Sequence, residues 1–414
     1  MSGDIRAFLN LDRLLGDIRT LAGFGAVEAG GIDRPAFSPA IVDAEEWLMQ
    51  AMRQASMTAH RDGAGNIIGR LGPQTGRTLI CGSHIDTVRG GGSLDGTLGV
   101  LAGLECARAI AASGLQPSAG FEVVAFADEE GAYHGLLGSK AMAGALEPAD
   151  IQDSGTLAMA MLAVGLDFSA VSKAARKLDE VEAYLELHIE QGPVLERLGL
   201  DIGIVDAIVG MDLSSYTLTG KARHSGSTPM ADRQDALVCA ASAIHSAIAA
   251  MVEEGLADAG TMTFGNLRVS PGSTNVVPGQ VIVDSEVRAQ DRETIAALRS
   301  IVDRAFRYAA GQAGLTTVRG RNVIDPPAPL SKGLRDRLFA IAAKNNLQCA
   351  LLSSGACHDA QVFASRDVPT AMIFIESKGG ISHHSDEHST PAAIRAGAEF
   401  LLLAVHDLLV RGTR

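Results

Sequence analysis

Residues 78–84 read TLICGSH, a short apolar run that follows Arg77 and leads into the glycine-rich stretch GGGSLDG at 90–96. A run of this length, bounded by turn residues, reads as a buried strand. FEVVAFADEE at 121–130, VEAYLELHIE at 181–190 and TAMIFIE at 370–376 share its texture. Between the first two lies LGVLAGLECARAIAAS at 98–113, a helical pattern that begins after Asp95 and stops at Gly114. Strands alternating with helices predict an α/β layer with a mainly parallel sheet. Such sheets bind ligands at the carboxyl ends of their strands. His84 ends the first run, Glu129 and Glu130 follow the second, and His188 lies near the end of the third, so these four are expected to converge.

From Gly203 the texture changes. SSYTLTGKARHSG (214–226), an Ala-rich helix, TMTFGNLRVSPGSTNVVPG (261–279) and QVIVDSEVRAQD (280–291) suggest two hairpin-like segments with helices, a smaller α+β domain. The proline-rich DPPAPL at 325–330 reads as a return linker, after which strand and helix patterns resume. The expected layout is therefore one domain from residues 1–204 and 321–414, interrupted by a second at 205–320.

Bulk properties narrow the function. Acidic residues outnumber basic ones by 48 to 35, giving a net charge of -13 that disfavours nucleic acid and anionic membrane as partners. With one Trp and four Tyr, gripping bases or sugars by stacking is not expected. The five cysteines are spread out, with no C-x-x-C pair, which fits a reducing compartment. The N-terminal MSGDIRAFLNLDRLLGDIRT reads as an amphipathic helix rather than a signal peptide. ALVCAASAIHSAIAAMV at 236–252 falls short of the ~20 apolar residues of a membrane span. A soluble cytoplasmic protein is the expectation.

Within GSHIDTVRGGGSLDG (82–96), Asp86 stands two residues beyond His84 on an extended chain and so points to the same side, where a carboxylate can hold the second nitrogen of a metal-bound imidazole. A strand-end turn with a capping Asp95 is the equally weighted structural reading. FADEEG places Glu129 and Glu130 side by side, so that one can ligate a metal while the other, raised in pKa by its neighbour, acts as a base. Alternation in LELHIEQG sets Glu186, His188 and Glu190 on one face. No G-x-S-x-G elbow and no H-E-x-x-H helix occurs. Cys357 and His358 in SGACHDA are adjacent and would point to opposite sides of an extended chain, which argues against a nucleophile with its base. In ISHHSDEH (381–388) spacing alone allows any of His383, His384 and His388 to bind metal.

Taken in order, GSHIDTV, GGSLDGTLGV, DEEG, LHIEQGPVLE, HSGSTPM, STNVVPG, GACHDA and GISHHSDE resemble the M20-type metal-dependent amidohydrolases, in the branch of N-carbamoyl-L-amino-acid hydrolases, allantoate amidohydrolases and β-ureidopropionases. The resemblance implies a catalytic domain of di-zinc peptidase type with an inserted ferredoxin-like domain for dimerisation or as a lid. It implies two divalent ions, Zn or Mn, Co or Ni, with Asp95 bridging, His84 and His188 on one ion, and Glu130 and His383 on the other. Glu129 would be the general base and Asp86 would orient His84. His224 would stabilise the oxyanion, reaching across a homodimer interface, and Gln191, Asn275 and Arg288 would bind a substrate carboxylate. An ion pair with a neighbouring acid is the structural reading of Arg288. Aligning Gly380 to His383 and Glu387 with the family's G-x-S-H-x-x-x-E singles out His383, leaves His384 and His388 as loop residues, and gives Glu387 a supporting part. The implied reaction is hydrolysis of a linear C–N amide bond in a ureido or carbamoyl carboxylate; a dipeptidase or N-acyl amino acid hydrolase on the same metal core is the alternative. One departure stands out: Tyr133 and His134 replace the Arg-Phe that many relatives carry after the Glu pair, which puts the substrate pocket in question.

Overall fold

Four apolar runs with glycine-rich exits become the centre of one sheet. A computed structural model describes residues 4–146 and 155–412 and divides the chain into two units, Met1–Asp206 with Pro329–Arg414, and Ala207–Ala328. The first unit contains β1 (Thr58–Arg61), β2 (Ile67–Leu71), β3 (Thr78–His84), β4 (Gly120–Phe126), β5 (Val181–Ile189) and β6 (Ile202–Ile208). The second contains β7 (Gly210–Thr219), β8 (Arg223–His224), β9 (Gly260–Ser270), β10 (Val276–Val277), β11 (Gln280–Ala289) and β12 (Thr316–Asp325), and the chain returns through β13 (Ala328–Pro329), β14 (Cys349–Ser354) and β15 (Thr370–Ile375).

The large sheet runs β1-β2-β4-β3-β5-β15-β6-β13, with β14 beside β6. Its four central strands, β4, β3, β5 and β15, are parallel, and the flanking β2 and β6 are antiparallel to them. Parallel strands are covered on both faces, so every residue of β3, β4 and β15 is buried. One face packs Leu79, Val123, Leu187 and Ile373 against the helices Leu11–Ala22, Thr97–Ser113 and Pro391–Arg411. On the other, Phe363 from the helix Asp359–Ser365 stacks on Tyr184 at 4.5 Å. From β3 the chain crosses to β4 on one side, and from β5 to β15 on the other. The reversal between β3 and β5 opens a crevice at their carboxyl ends.

The helix Thr97–Ser113 is apolar almost all round because it lies inside this unit. It approaches the sheet so closely that a Cβ on Gly99 would stand 2.3 Å from the Leu187 carbonyl oxygen.

The second unit is an antiparallel sheet, β12-β7-β11-β9, with the helices Ala236–Glu253 and Arg292–Ala313 sharing its core. Along β11, Val281, Val283, Ser285 and Val287 turn inward and Ile282, Asp284, Glu286 and Arg288 outward. Contrary to the expectation from its sequence, the helix Ala236–Glu253 is long and apolar enough to cross a membrane by length and composition. Cys239, Ala240, Ala243 and Met251 bury its inner side in the core of this unit.

Overpacking at the helix–sheet contact gives a stability prediction. Gly99→Ala should cost about 1–3 kcal/mol, seen as a lower urea midpoint at unchanged slope; an unaltered midpoint would show that the helix can move away freely.

Candidate metal centre

His84 is the last residue of β3, Glu129 and Glu130 follow β4, and His188 is the penultimate residue of β5, so the parallel strands deliver all four to one edge. The loop after β15 adds His383, and the loop after β3 adds Asp95. His84, Asp95 and His188 offer ligand atoms within 4.8 Å of one another, and so do Asp95, Glu130 and His383. Asp95 belongs to both sets. Its Oδ1 lies 3.1 Å from His188 Nε2 and 3.8 Å from His84 Nε2, while its Oδ2 lies 3.1 Å from His383 Nε2. His383 Nε2 is 3.5 Å from Glu130 Oε2.

Backbone contacts set the imidazoles. Nδ1 of His84 meets the Asp86 carbonyl at 3.0 Å and Nδ1 of His188 meets the Ile189 carbonyl at 2.9 Å. Each Nδ1 therefore acts as the N–H donor, so that Nε2 is the nitrogen that faces Asp95 and, once without a proton, offers its lone pair as metal ligation requires. Asp86 holds His84 through its carbonyl; its carboxylate stands 3.6 Å from Nδ1 and accepts instead from the Glu130 N–H at 3.2 Å.

The two loops that carry Asp95 and His383 are tied together by Glu387. Its Oε1 accepts from the N–H groups of Leu94 (2.8 Å) and Asp95 (3.1 Å), and its Oε2 from Ser382 Oγ (3.0 Å). Gln191 joins them, its Nε2 lying 3.2 Å from Asp95 Oδ2 and 3.1 Å from Ser382 Oγ. His384 accepts from the Asp386 N–H and is exposed, as is His388. Neither belongs to a ligand set among the described residues.

Five carboxyls, Asp86, Asp95, Glu129, Glu130 and Glu387, meet here in near-complete burial. Burial pushes Glu130 up to about 8, with Asp95 adding to the effect. Burial, then Asp359 and Glu130, raise Glu129 well above the usual carboxylate range. Asp95 goes the other way: against the effect of its burial, hydrogen bonds from His188 and His383 hold it well below that range. His383 rises to about 9, chiefly through its bond to Asp95, and His188 also to about 9 because Asp95 outweighs desolvation. His84, which lacks so short a bond, is lowered by burial. Concentrated negative charge with imidazole nitrogens at its rim is a donor set for divalent cations.

Two features escaped the sequence reading. His358 is buried with its ring edge-on to His188 at 4.5 Å and its Nε2 2.8 Å from Ser354 Oγ. Glu186 lies within ligand distance of both histidines but is already served by Ser83 Oγ (2.8 Å), Tyr184 Oη (3.0 Å) and the Ala360 N–H (2.9 Å), so this trio is a hydrogen-bonded floor beneath His188. The alternation that set Glu186 beside His188 was the available signal.

In the second unit His224 Nδ1 accepts from the N–H groups of Gly226 (3.1 Å) and Ser227 (3.2 Å), so Nε2 is the nitrogen that carries the proton. Asn275 adjoins it, accepting from the Ser225 N–H at 3.0 Å beside the β8–β10 pairing. Arg288 bonds Glu286 at 2.7 Å. β10 leads into β11 at Gln280, whereas Arg288 stands near the far end, roughly 25 Å away at the rise of a strand.

Comparison with known proteins gives the family of the chain. The sequence profile described as Peptidase family M20/M25/M40 matches residues 80–407. An N-carbamoyl-L-amino acid amidohydrolase of Geobacillus stearothermophilus is 37% identical, covering 96% of this chain and 98% of its own length. An allantoate amidohydrolase of Escherichia coli is 33% identical over 94% of this chain and 95% of its own. Among solved structures, an amidase of the hydantoinase/carbamoylase family from Burkholderia vietnamiensis superposes with a TM-score of 0.86 at 30% identity, covering 98% of each chain.

Two outcomes test the centre. A Cβ on Gly96 (φ +61°) would lie 2.3–2.5 Å from the His84 ring, so Gly96→Ala should abolish high-affinity metal retention on gel filtration while the far-UV spectrum persists. Cations must displace the protons that Asp95 lets His188 and His383 keep up to about pH 9. Affinity should therefore rise steadily from pH 6 towards about 9, with proton release in calorimetry; a flat profile would contradict the ligand assignment.

Proposed function

We propose that this chain, which belongs to peptidase family M20/M25/M40, hydrolyses a linear C–N amide bond in an N-carbamoyl or ureido carboxylate. The family is metal-dependent, and the chain has residue groups suited to holding metal. The observation that carries the reading is the pair of ligand sets sharing Asp95 beside Glu129, in a chain related along nearly its whole length to amidohydrolases of carbamoyl amino acids and allantoate.

Two ligand sets call for two ions, and their mixed imidazole and carboxylate donors suit Zn, Mn, Co or Ni. Bound there, the ions supply Lewis acidity to a substrate carbonyl and to water. Glu129, whose Oε2 lies 3.7 Å from His84 Nε2, takes the proton from the attacking water and returns it to the leaving nitrogen. Its raised affinity for a proton suits both steps. Asp86 steadies His84.

Arg288 binds the substrate carboxylate as a planar fork, releasing Glu286 in exchange, Gln191 adds a hydrogen bond, and Asn275, which adjoins His224, adds one from the chain that supplies His224. His224 donates from Nε2 to the developing oxyanion. His224 lies on the two-stranded β8–β10 sheet, which leads into the start of β11, whereas Arg288 lies near the end of β11; that separation favours a homodimer in which His224 serves the partner's site. Leu237, Val238, Ala241, Ile248 and Val252 give the outer side of the helix Ala236–Glu253 an exposed apolar surface suited to that association. Five free thiols suit a reducing cytoplasm.

The experiment is ammonia release from N-carbamoyl amino acids, N-carbamoyl-β-alanine and allantoate, set against amino acid release from dipeptides. Ureido turnover is expected, and Glu129→Gln should lower kcat by about 10²–10⁴-fold with metal content unchanged. Activity confined to dipeptides, or full turnover by the Gln variant, would overturn the assignment.

A further inference from the structure

Beside Asp86 the first unit encloses a cavity of about 10 Å³, counted as room for the centre of a water molecule, lined by Glu45, Asp86, Asp128 and the apolar Phe37, Ile41 and Ile85. That is about the room one water needs, and a buried water also needs polar partners. Two are present. Asp86 is 2% exposed and its Oδ1 has no hydrogen-bond partner among the described residues, although Oδ2 accepts from Glu130. Glu45, on the helix Pro39–Gln54 and 6% exposed, reaches Arg61 at 3.3 Å. Burial raises Glu45 to about 7, against the pull of Arg61 and with a further push from Asp86, so the two carboxyls lie within electrostatic reach.

A buried carboxylate oxygen with no donor is costly, and the cavity offers the remedy. We propose that the cavity holds one ordered water that links Asp86 Oδ1 to the Glu45 carboxylate, making Glu45 a positioning residue for the His84–Asp86 arm of the metal centre. A water gives one proton to each acceptor. A monovalent cation fits less well: it wants more oxygen ligands than two carboxylates supply, and Arg61 already brings positive charge to Glu45. With both oxygens bonded, Asp86 is fixed in place. Its carbonyl then holds His84 and its Oδ2 holds the backbone of Glu130, so one water steadies a ligand of each set.

The inference rests on His84 and Glu130 being metal ligands, and its test avoids turnover, so its failure is separable from failure of the proposed reaction. Co²⁺ is titrated into the metal-stripped full-length protein, followed by its visible absorbance, with apo-protein melting measured in parallel. Glu45→Met should weaken Co²⁺ binding about 10–100-fold, and Glu45→Gln, which keeps a polar partner, should restore it to within about threefold of wild type. A purely structural role would lower the apo melting temperature and leave Co²⁺ binding as it was. A crystal structure at about 1.5 Å or better should show one water peak between Glu45 and Asp86, and this reading stands even if the Met variant fails to fold. An empty cavity, an ion in it, or wild-type Co²⁺ binding by Glu45→Met would overturn the proposal.

Discussion

The carboxylate of Asp95 is the constraint on which the first unit is built. It is 4% exposed, faces imidazole nitrogens at 3.1 Å from each of its oxygens, and belongs to both ligand sets. Keeping such a group ionised in the interior requires positive charge on both sides. In the protein alone that charge comes from His188 and His383, which hold protons up to about 9. The surrounding acids make the arrangement electrostatically strained, with Glu130 pushed to about 8. Divalent cations relieve that strain better than protons can, because each brings two charges to a point that several oxygens reach together.

Delivering ligands to one carboxylate from four strand ends demands sharp turns. Three residues at the centre, Asp128 (φ +56°), Gln191 (φ +57°) and His383 (φ +56°), adopt the left-handed region without being glycine. Each sits at or beside a group that faces Asp95 or carries a ligand. Such conformations persist where surrounding bonds over-determine them. Asp128 accepts from the N–H groups of Tyr133 and His134 and so curls the loop that leaves Glu130. Gln191 is pinned by Ser377 and Asp95. These three conformations lie in the loops at the carboxyl ends of the strands, whereas the one register shift between β3 and β5, at Thr78/Leu79, lies at their other end.

Much of this was legible in local patterns. TLICGSH reads as a strand because seven residues of even burial need no alternation, and β3 is Thr78–His84 with every residue buried. The outward face of β11 has the period-two spacing of a strand, and its Arg288 does pair with a neighbouring acid, Glu286. What sequence could not supply were contacts made by backbone or across long separations. The bond to His84 Nδ1 comes from the Asp86 carbonyl, an atom every residue has. His358 meets His188 across 170 positions, from the extended residue that caps the helix Asp359–Ser365. LELHIE shows which side Glu186 shares with His188, yet alternation normally means one wet face, and in an internal parallel strand both faces are dry.

The same burial separates two chemically identical neighbours. Glu130 lies 3.5 Å from His383 and shares a ligand set with Asp95, whereas Glu129 faces His84 at 3.7 Å and feels Asp359 most strongly among the acids around it. Adjacent residues on one turn thus enter different fields. A general base works best when its proton affinity lies near the working pH, and Glu129 in the protein alone sits well above the usual carboxylate range. Positive charge placed in the two ligand sets pulls it back down. Desolvation and cation charge would therefore oppose each other at Glu129, and their balance, rather than either one, would set its proton affinity. Less burial of Glu129, or the loss of Asp359, would lower its proton affinity.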